Sequence, residues 1–141
     1  MNDWPPERVH SICLASIRRH AMKEADWRFT RLDVLPERLG RIVQLDAGEL
    51  SIVSCFIDAQ RWYVMTTARI FGLASGARFS CSPLEVSQWR WGDFKGAGRA
   101  EVGVATLALA NGTHLRVPYE TGYASLAPIY YGQFWMKRHA R

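Results

Sequence analysis

The residues of this chain best suited to chemistry lie in one stretch: Gln88, Trp89, Arg90, Trp91, Gly92, Asp93, Phe94, Lys95, Gly96, Ala97, Gly98 and Arg99. On a strand, Trp89 and Trp91 share one face and Arg90 takes the other. Lys95 and Arg99 bracket a glycine-rich turn whose amides could meet an anion. Three uses fit these residue types. Trp, Arg and Phe are the anchors of protein-binding hot spots, which makes Trp89, Arg90, Trp91, Phe94, Lys95 and Arg99 the candidate partner-binding set. Indole rings beside cations also stack nucleic-acid bases. The plainest use is two core tryptophans ahead of a hairpin turn. Gly96, Ala97 and Gly98 do not make a dinucleotide fingerprint, because the third glycine is misplaced and a strand rather than a helix follows.

Elsewhere the sequence offers less. His10 and His20 stand ten apart on one expected helix, and no Cys-x-x-Cys, His-x-x-x-His or His-Glu-x-x-His occurs, so no metal site is expected. There is no Gly-x-Ser-x-Gly elbow. Cys81, between Ser80 and Ser82, is the one conceivable nucleophile, against a plain core thiol. Glu85, Asp93, Glu101 and Glu120 could pair across strands, but no spacing demands an acid and base couple. The run from Tyr119 through Glu120, Thr121 and Gly122 to Tyr123 resembles no catalytic motif, and Glu120 beside a helix start favours the helix dipole. No catalytic residue, no metal and no cofactor is expected, and the chain is not read as an enzyme.

These residues must be held by a scaffold of 141 residues, 48% hydrophobic and 22% charged, which matches one globular domain with a real core. The formal charge of +5 is uneven. Residues 1–50 carry eight Lys or Arg against eight Asp or Glu, while residues 51–141 carry ten against five, so an anionic partner should meet the second part. The three cysteines, Cys13, Cys55 and Cys81, are far apart and set in apolar surroundings, as buried thiols are in a reducing compartment. The first residues lack the basic region and apolar run of a secretory signal, and no stretch approaches the roughly 18 apolar residues of a membrane span. A cytoplasmic protein is the expectation.

Two periodicities divide the chain. Val9, Ile12, Cys13, Ile17 and Ala21 recur at helical spacing, Pro5 and Pro6 suit a first turn and Asp3 can cap, which predicts a helix over 5–25. Residues 26–48 show no clean period and read as a packed connector, in which Pro36 to Leu39 could start a helical turn. From Leu50 the period becomes two. Strands are expected over 50–57, 62–67, 68–73, 78–81, 84–91, 100–109 and 113–117, with Asn111 and Gly112 giving the strongest hairpin signal. Val102 and Val104 share one parity and Leu107 and Leu109 the other, so that strand needs either a bulge near Ala105 and Thr106 or burial on both faces. The last segment, 125–139, reads as a helix capped by Thr121 or Ser125. Leu126, Ile129, Tyr130 and Phe134 make its apolar stripe, and Lys137, Arg138 and His139 lie at its C-terminus. The fold class is therefore α+β: an N-terminal helix, a curved antiparallel sheet or partial barrel, and a C-terminal helix.

The runs Trp62 to Phe71, Val86 to Trp91 and Leu107 to Leu115 resemble the strand succession of bacterial pleckstrin-homology-like domains over residues 49–139. The resemblance implies a curved seven-stranded sheet with one mouth capped by the closing helix, preceded here by a 48-residue extension. It also implies a binding scaffold for proteins, peptides or anionic head groups. Lipid-binding members concentrate Lys and Arg around the first hairpin, whereas the turn at Asp58 to Arg61 offers only Arg61, which argues against phosphoinositide binding. The functional expectation is a non-catalytic protein-binding module: a small bacterial immunity or inhibitor protein directed at a toxin, or an adaptor. Nucleic-acid or anion binding through the basic second half is the alternative, and an unrecognised small enzyme is the third class.

Overall fold

The computed structural model describes residues 4–96 and 100–139. The first helix, α1, spans Pro6–His20 and buries Val9, Cys13, Leu14 and Ile17 along one stripe. It stops five residues short of the expected end because the chain passes through Ala21 in extended form and then Lys23 at φ 59°. Trp27 then folds back, buried, and donates its Nε1–H to the Met22 carbonyl at 2.9 Å. Asp3, the expected cap, lies outside the described residues.

The stretch read as a connector instead forms two elements. β1 (Thr30–Leu32) pairs antiparallel with β2 (Ser51–Asp58), and α2 (Glu37–Ile42) lies between them in sequence. With β3 (Arg61–Thr66), β4 (Ile70–Ala74) and β5 (Ala77–Cys81) they complete a five-stranded sheet in sequential order. This sheet is apolar on both faces. Cys55, Tyr63, Met65 and Ile70 turn to the main core, while Trp62 and Val64 turn outward and are covered by Leu39 of α2. An unbroken apolar strand such as β3 is what two-sided burial requires. The β4–β5 turn takes Ser75 at φ 51° and Gly76 at φ 81°, the left-handed pair that a two-residue hairpin favours.

The second sheet is β6 (Val86–Arg90), β7 (Val102–Leu109) and β8 (His114–Glu120), also antiparallel. Ser82 and Glu85 lead into it through a reciprocal capping box. The register between β7 and β8 is continuous, so there is no bulge at Ala105 and Thr106. Ala105, Leu107 and Leu109 face the core, Val102 is half-buried and Val104 is exposed, so the strand is not buried on both faces either. The apolar pattern misleads there because a solvent-facing valine is an ordinary way to populate an outer strand face. The loop after β7 closes with Leu109 N–H to the Thr113 carbonyl at 2.8 Å and Gly112 at φ 91°.

β8 crosses against β2, β3 and β4, so the two sheets face one another without closing into a barrel. The closing helix α3 (Leu126–His139) follows a 3₁₀ turn over Gly122–Ser125 and seats Ala127, Tyr131 and Trp135 in the core. Tyr131 donates its hydroxyl to the Thr66 carbonyl of β3 at 2.7 Å. α1 packs on α3 and on β2, so the N-terminal helix belongs to the fold's own interior. Its partner runs antiparallel to it, since Arg138 meets Trp4 at one end and Tyr130 meets His20 at the other. The result is an α+β arrangement of two helices packed on each other and on two open antiparallel sheets. Among the described residues no helix is long and apolar enough to cross a membrane.

Candidate functional site

β6 ends at Arg90, which is exposed, and Trp91, one residue past the strand, lies on the side of Trp89, as the strand period requires. Trp89 reaches α3 at Gly132, where a Cβ would come within 2.9 Å of the indole. That contact accounts for a glycine inside a helix, where it otherwise costs about 1 kcal/mol relative to alanine. Trp89 stacks on Trp91 with centroids 5.7 Å apart and meets Tyr131 edge-on. Trp91 meets Tyr119 edge-on at 5.1 Å, and its carbonyl accepts the Tyr119 hydroxyl. Burial, aided by Asp93, pushes that phenol up to about 12. Both tryptophans are thus half-buried, Trp89 between the second sheet and α3 and Trp91 against Trp89 and Tyr119.

The rest of the predicted set divides. Arg90 is exposed, and its Nη2 reaches Gln88 Oε1 at 3.2 Å. Phe94 is half-buried and Lys95 exposed, while Arg99 lies outside the described residues. Of the turn's amides, those of Ala97 and Gly98 lie outside the described residues. Phe94 N–H bonds the Gly92 carbonyl at 2.9 Å and Gly96 N–H the Asp93 carbonyl at 3.2 Å, so the described part of the turn closes on itself.

Phe94 and Lys95 instead join residues that the sequence did not assign to the site. Gly122 N–H donates to the Phe94 carbonyl at 2.7 Å, which pins the turn against the start of α3. Between them lies a cleft of about 420 Å³ lined by Phe94, Lys95, Gly122, Tyr123, Ser125 and Leu126. Tyr123 is 49% exposed, with the Lys23 ammonium 5.2 Å from its ring centroid. The run containing Tyr123 was visible as an unexplained motif, but its meeting with a turn nearly thirty residues earlier is a tertiary fact.

A second hollow of about 220 Å³ adjoins through Lys95, lined also by Arg28, Gly96, Glu101, Glu120 and Thr121. Arg28 and Glu101 make an exposed ion pair at 2.5 Å. Glu120 is buried, and its carboxylate accepts Arg28 N–H at 2.8 Å, Phe29 N–H at 2.9 Å and the Thr30 hydroxyl at 2.7 Å. It serves the N-terminal segment rather than the dipole of α3.

The other chemistry-bearing side chains lie apart from this cleft. Burial drives the Cys13 thiol well up and raises Cys55 and Cys81 each to about 12, which disfavours the reactive thiolate. His10 Nε2 bonds Asp33 Oδ1 at 2.8 Å, and His20 stacks on Tyr130. Among the described residues no group of three or more His, Cys, Asp or Glu is placed to hold a metal ion. What the cleft offers is apolar contact area, an exposed phenol and two lysines, a combination for recognising a surface. Comparison with family models, with curated proteins and with solved structures finds no match to this chain.

Proposed function

We propose that this protein is a non-catalytic protein-binding module of pleckstrin-homology-like architecture that grips a partner protein at the cleft of Phe94, Lys95, Tyr123 and Leu126. The architectural part is supported by order: a four-stranded meander β2–β5, a three-stranded meander β6–β8 and a closing helix. β1 and α1 are additions to that plan. The observation that carries the binding reading is Tyr123, a large aromatic residue standing half in solvent beside an apolar cleft with Lys23 and Lys95 at its edge. Exposed aromatics over a partly desolvated pocket are where binding energy concentrates. The lysines favour an acidic partner surface, as an inhibitor of an acidic toxin or an adaptor would meet. Base stacking is less well served, because Trp89 and Trp91 spend ring faces on each other.

The test is affinity capture from lysate of the source organism at low and high salt, with wild type and Tyr123→Ala side by side. The expected outcome is a protein retained at high salt by wild type and held about 30-fold more weakly by the variant, the loss a hot-spot residue of about 2 kcal/mol gives. Thermal unfolding of the variant should match wild type. Equal retention by both, or capture of nucleic acid alone that salt releases, overturns the reading.

A further inference from the structure

We infer that the groove between α1 and α3 is a second docking site, one that takes an acidic amphipathic helix of a partner protein. It lies apart from the cleft at Tyr123 and stands or falls without it. Ile12, Ser16, Arg19 and His20 form one wall and Tyr130, Gln133, Phe134, Lys137 and Arg138 the other, with Trp4 at one end and a volume of about 380 Å³ between them. Both walls repeat at three and four residues, so they run as two ridges along antiparallel helices. A third helix is the element that fits between such ridges.

Charge selects the occupant. Among the described residues, no Asp or Glu lines this groove. Arg19 and Lys137 are exposed and, among the described residues, neither enters an ion pair. The guanidiniums of Arg8 and Arg138 lie 4.3 and 3.8 Å from the Trp4 ring centroid. Cations at a helix C-terminus complement its dipole, which accounts for Arg18, Arg19 and His20 on α1 and for Lys137 and Arg138 on α3. It does not account for Arg8, which sits in the first turn of α1, where the dipole opposes a cation, and which the antiparallel pairing brings to the Arg138 end.

The ring contacts decide between anions. Tyr130 is stacked on His20 at 4.1 Å and 9°, and Trp4 carries two guanidiniums, so these faces are taken and bases have little to stack on. A bilayer is poorly matched, since the apolar residues form the floor of a concavity rather than a protruding face. A second copy of this chain has no acidic helix to offer: α1 carries only Glu7, α2 only Glu37 and α3 none. A helix from another protein, with apolar residues at i and i+4 against Ile12 and Phe134 and carboxylates toward Arg19 and Lys137, satisfies every wall.

The test is selection of a displayed library of random 16-residue peptides on the full chain, followed by measurement of the enriched peptides on Arg19→Glu/Lys137→Glu and on Tyr123→Ala. Both groove substitutions are at exposed positions, and an unchanged melting temperature would certify the fold. The expected result is peptides rich in Asp and Glu with apolar residues at helical spacing. They should bind the groove variant at least tenfold more weakly, keep their affinity for Tyr123→Ala, and shift amide resonances of Ile12, Ser16 and Gln133. Failure to enrich any peptide, acid-poor binders, or equal binding to the groove variant overturns the inference. So does single-stranded DNA or an anionic phosphatidylserine vesicle whose binding depends on Arg19 and Lys137 while no peptide's does.

Discussion

Truncating Glu120 to alanine should unfasten the N-terminal segment from the second sheet, and the structure sets the size of the effect. Three donors converge on this carboxylate: Arg28 N–H and Phe29 N–H from the backbone, and the hydroxyl of Thr30. Thr30 is buried and Phe29 half-buried, so at least two of these donors would lose their acceptor away from water. A stranded buried donor costs about 1–3 kcal/mol, and two of them about 2–6 kcal/mol, a large part of the roughly 5–15 kcal/mol that holds a domain folded. Glu120→Gln is the discriminating companion. Its remaining oxygen can still serve Phe29 and Thr30, but its amide would turn a donor toward Arg28 N–H, for a loss of about 1–3 kcal/mol. Urea unfolding should rank the variants wild type, Gln, Ala in falling stability. Amide exchange should show protection lost first at residues 28–32 and at Val53, Ser54 and Cys55, the β2 partners of β1. An alanine variant within about 0.5 kcal/mol of wild type, the usual scatter of an uninvolved surface substitution, refutes the argument. Equal losses for Gln and Ala would refute the assignment of the cost to individual bonds.

Three further outcomes follow from the same geometry. Burial tends to raise the Glu49 carboxyl, but hydrogen bonds from Arg69, Thr66 and the Asp46 N–H outweigh it and hold it below the ordinary carboxylate range. Its stabilisation is therefore full above the ordinary carboxylate value and lost as pH falls through the depressed one, so Glu49→Gln should flatten the acid limb of stability against pH; an unaltered limb refutes this. Gly132→Ala gains about 1 kcal/mol of helix propensity yet forces the Trp89 ring aside, and we expect a net loss of about 1–2 kcal/mol with a changed near-UV signal, where a stabilised variant would contradict the packing. The three buried thiols should resist a disulfide reagent in the native protein and react together on unfolding; one fast equivalent in the native state would show a reactive cysteine.

The strands after residue 50 were legible because their period of two was broken by residues with fixed turn chemistry, such as Gly76 and Gly112 at positive φ. β1 was not, and α2 only as a helical turn starting near Pro36. β1 is three residues long, too short for any alternation to register, and its first residue, Thr30, and the preceding Phe29 bond the Glu120 carboxylate some ninety residues away. α2 is six residues whose single buried side chain, Leu39, is explained only by the outward-facing Trp62 beneath it. The candidate site divided for a related reason. Sequence spacing correctly put Trp89 and Trp91 on one face, but whether that face meets solvent or α3 is decided by Gly132, a position whose meaning lies wholly in the partner it admits. Tyr123 escaped selection because nothing local distinguishes an exposed tyrosine at a helix start from a buried one.

The N-terminal segment is better described as completing the sheet than as preceding it. A four-stranded meander β2–β5 would leave the edge of β2 unpaired, the outer indole of Trp62 bare and the α1-facing side of α3 uncovered. β1 caps the edge, α2 covers the indole and α1 covers the helix. An unpaired edge and an uncovered apolar face are the usual routes to unwanted association, so each addition removes a liability of the smaller fold. The same covering creates a concave surface in which aromatic rings and cations from two helices meet, while Val9 and Ile17 of α1 sit in the core. A segment recruited for stability thereby supplies half of a binding groove, and the charge it places there is what remains when packing has been satisfied.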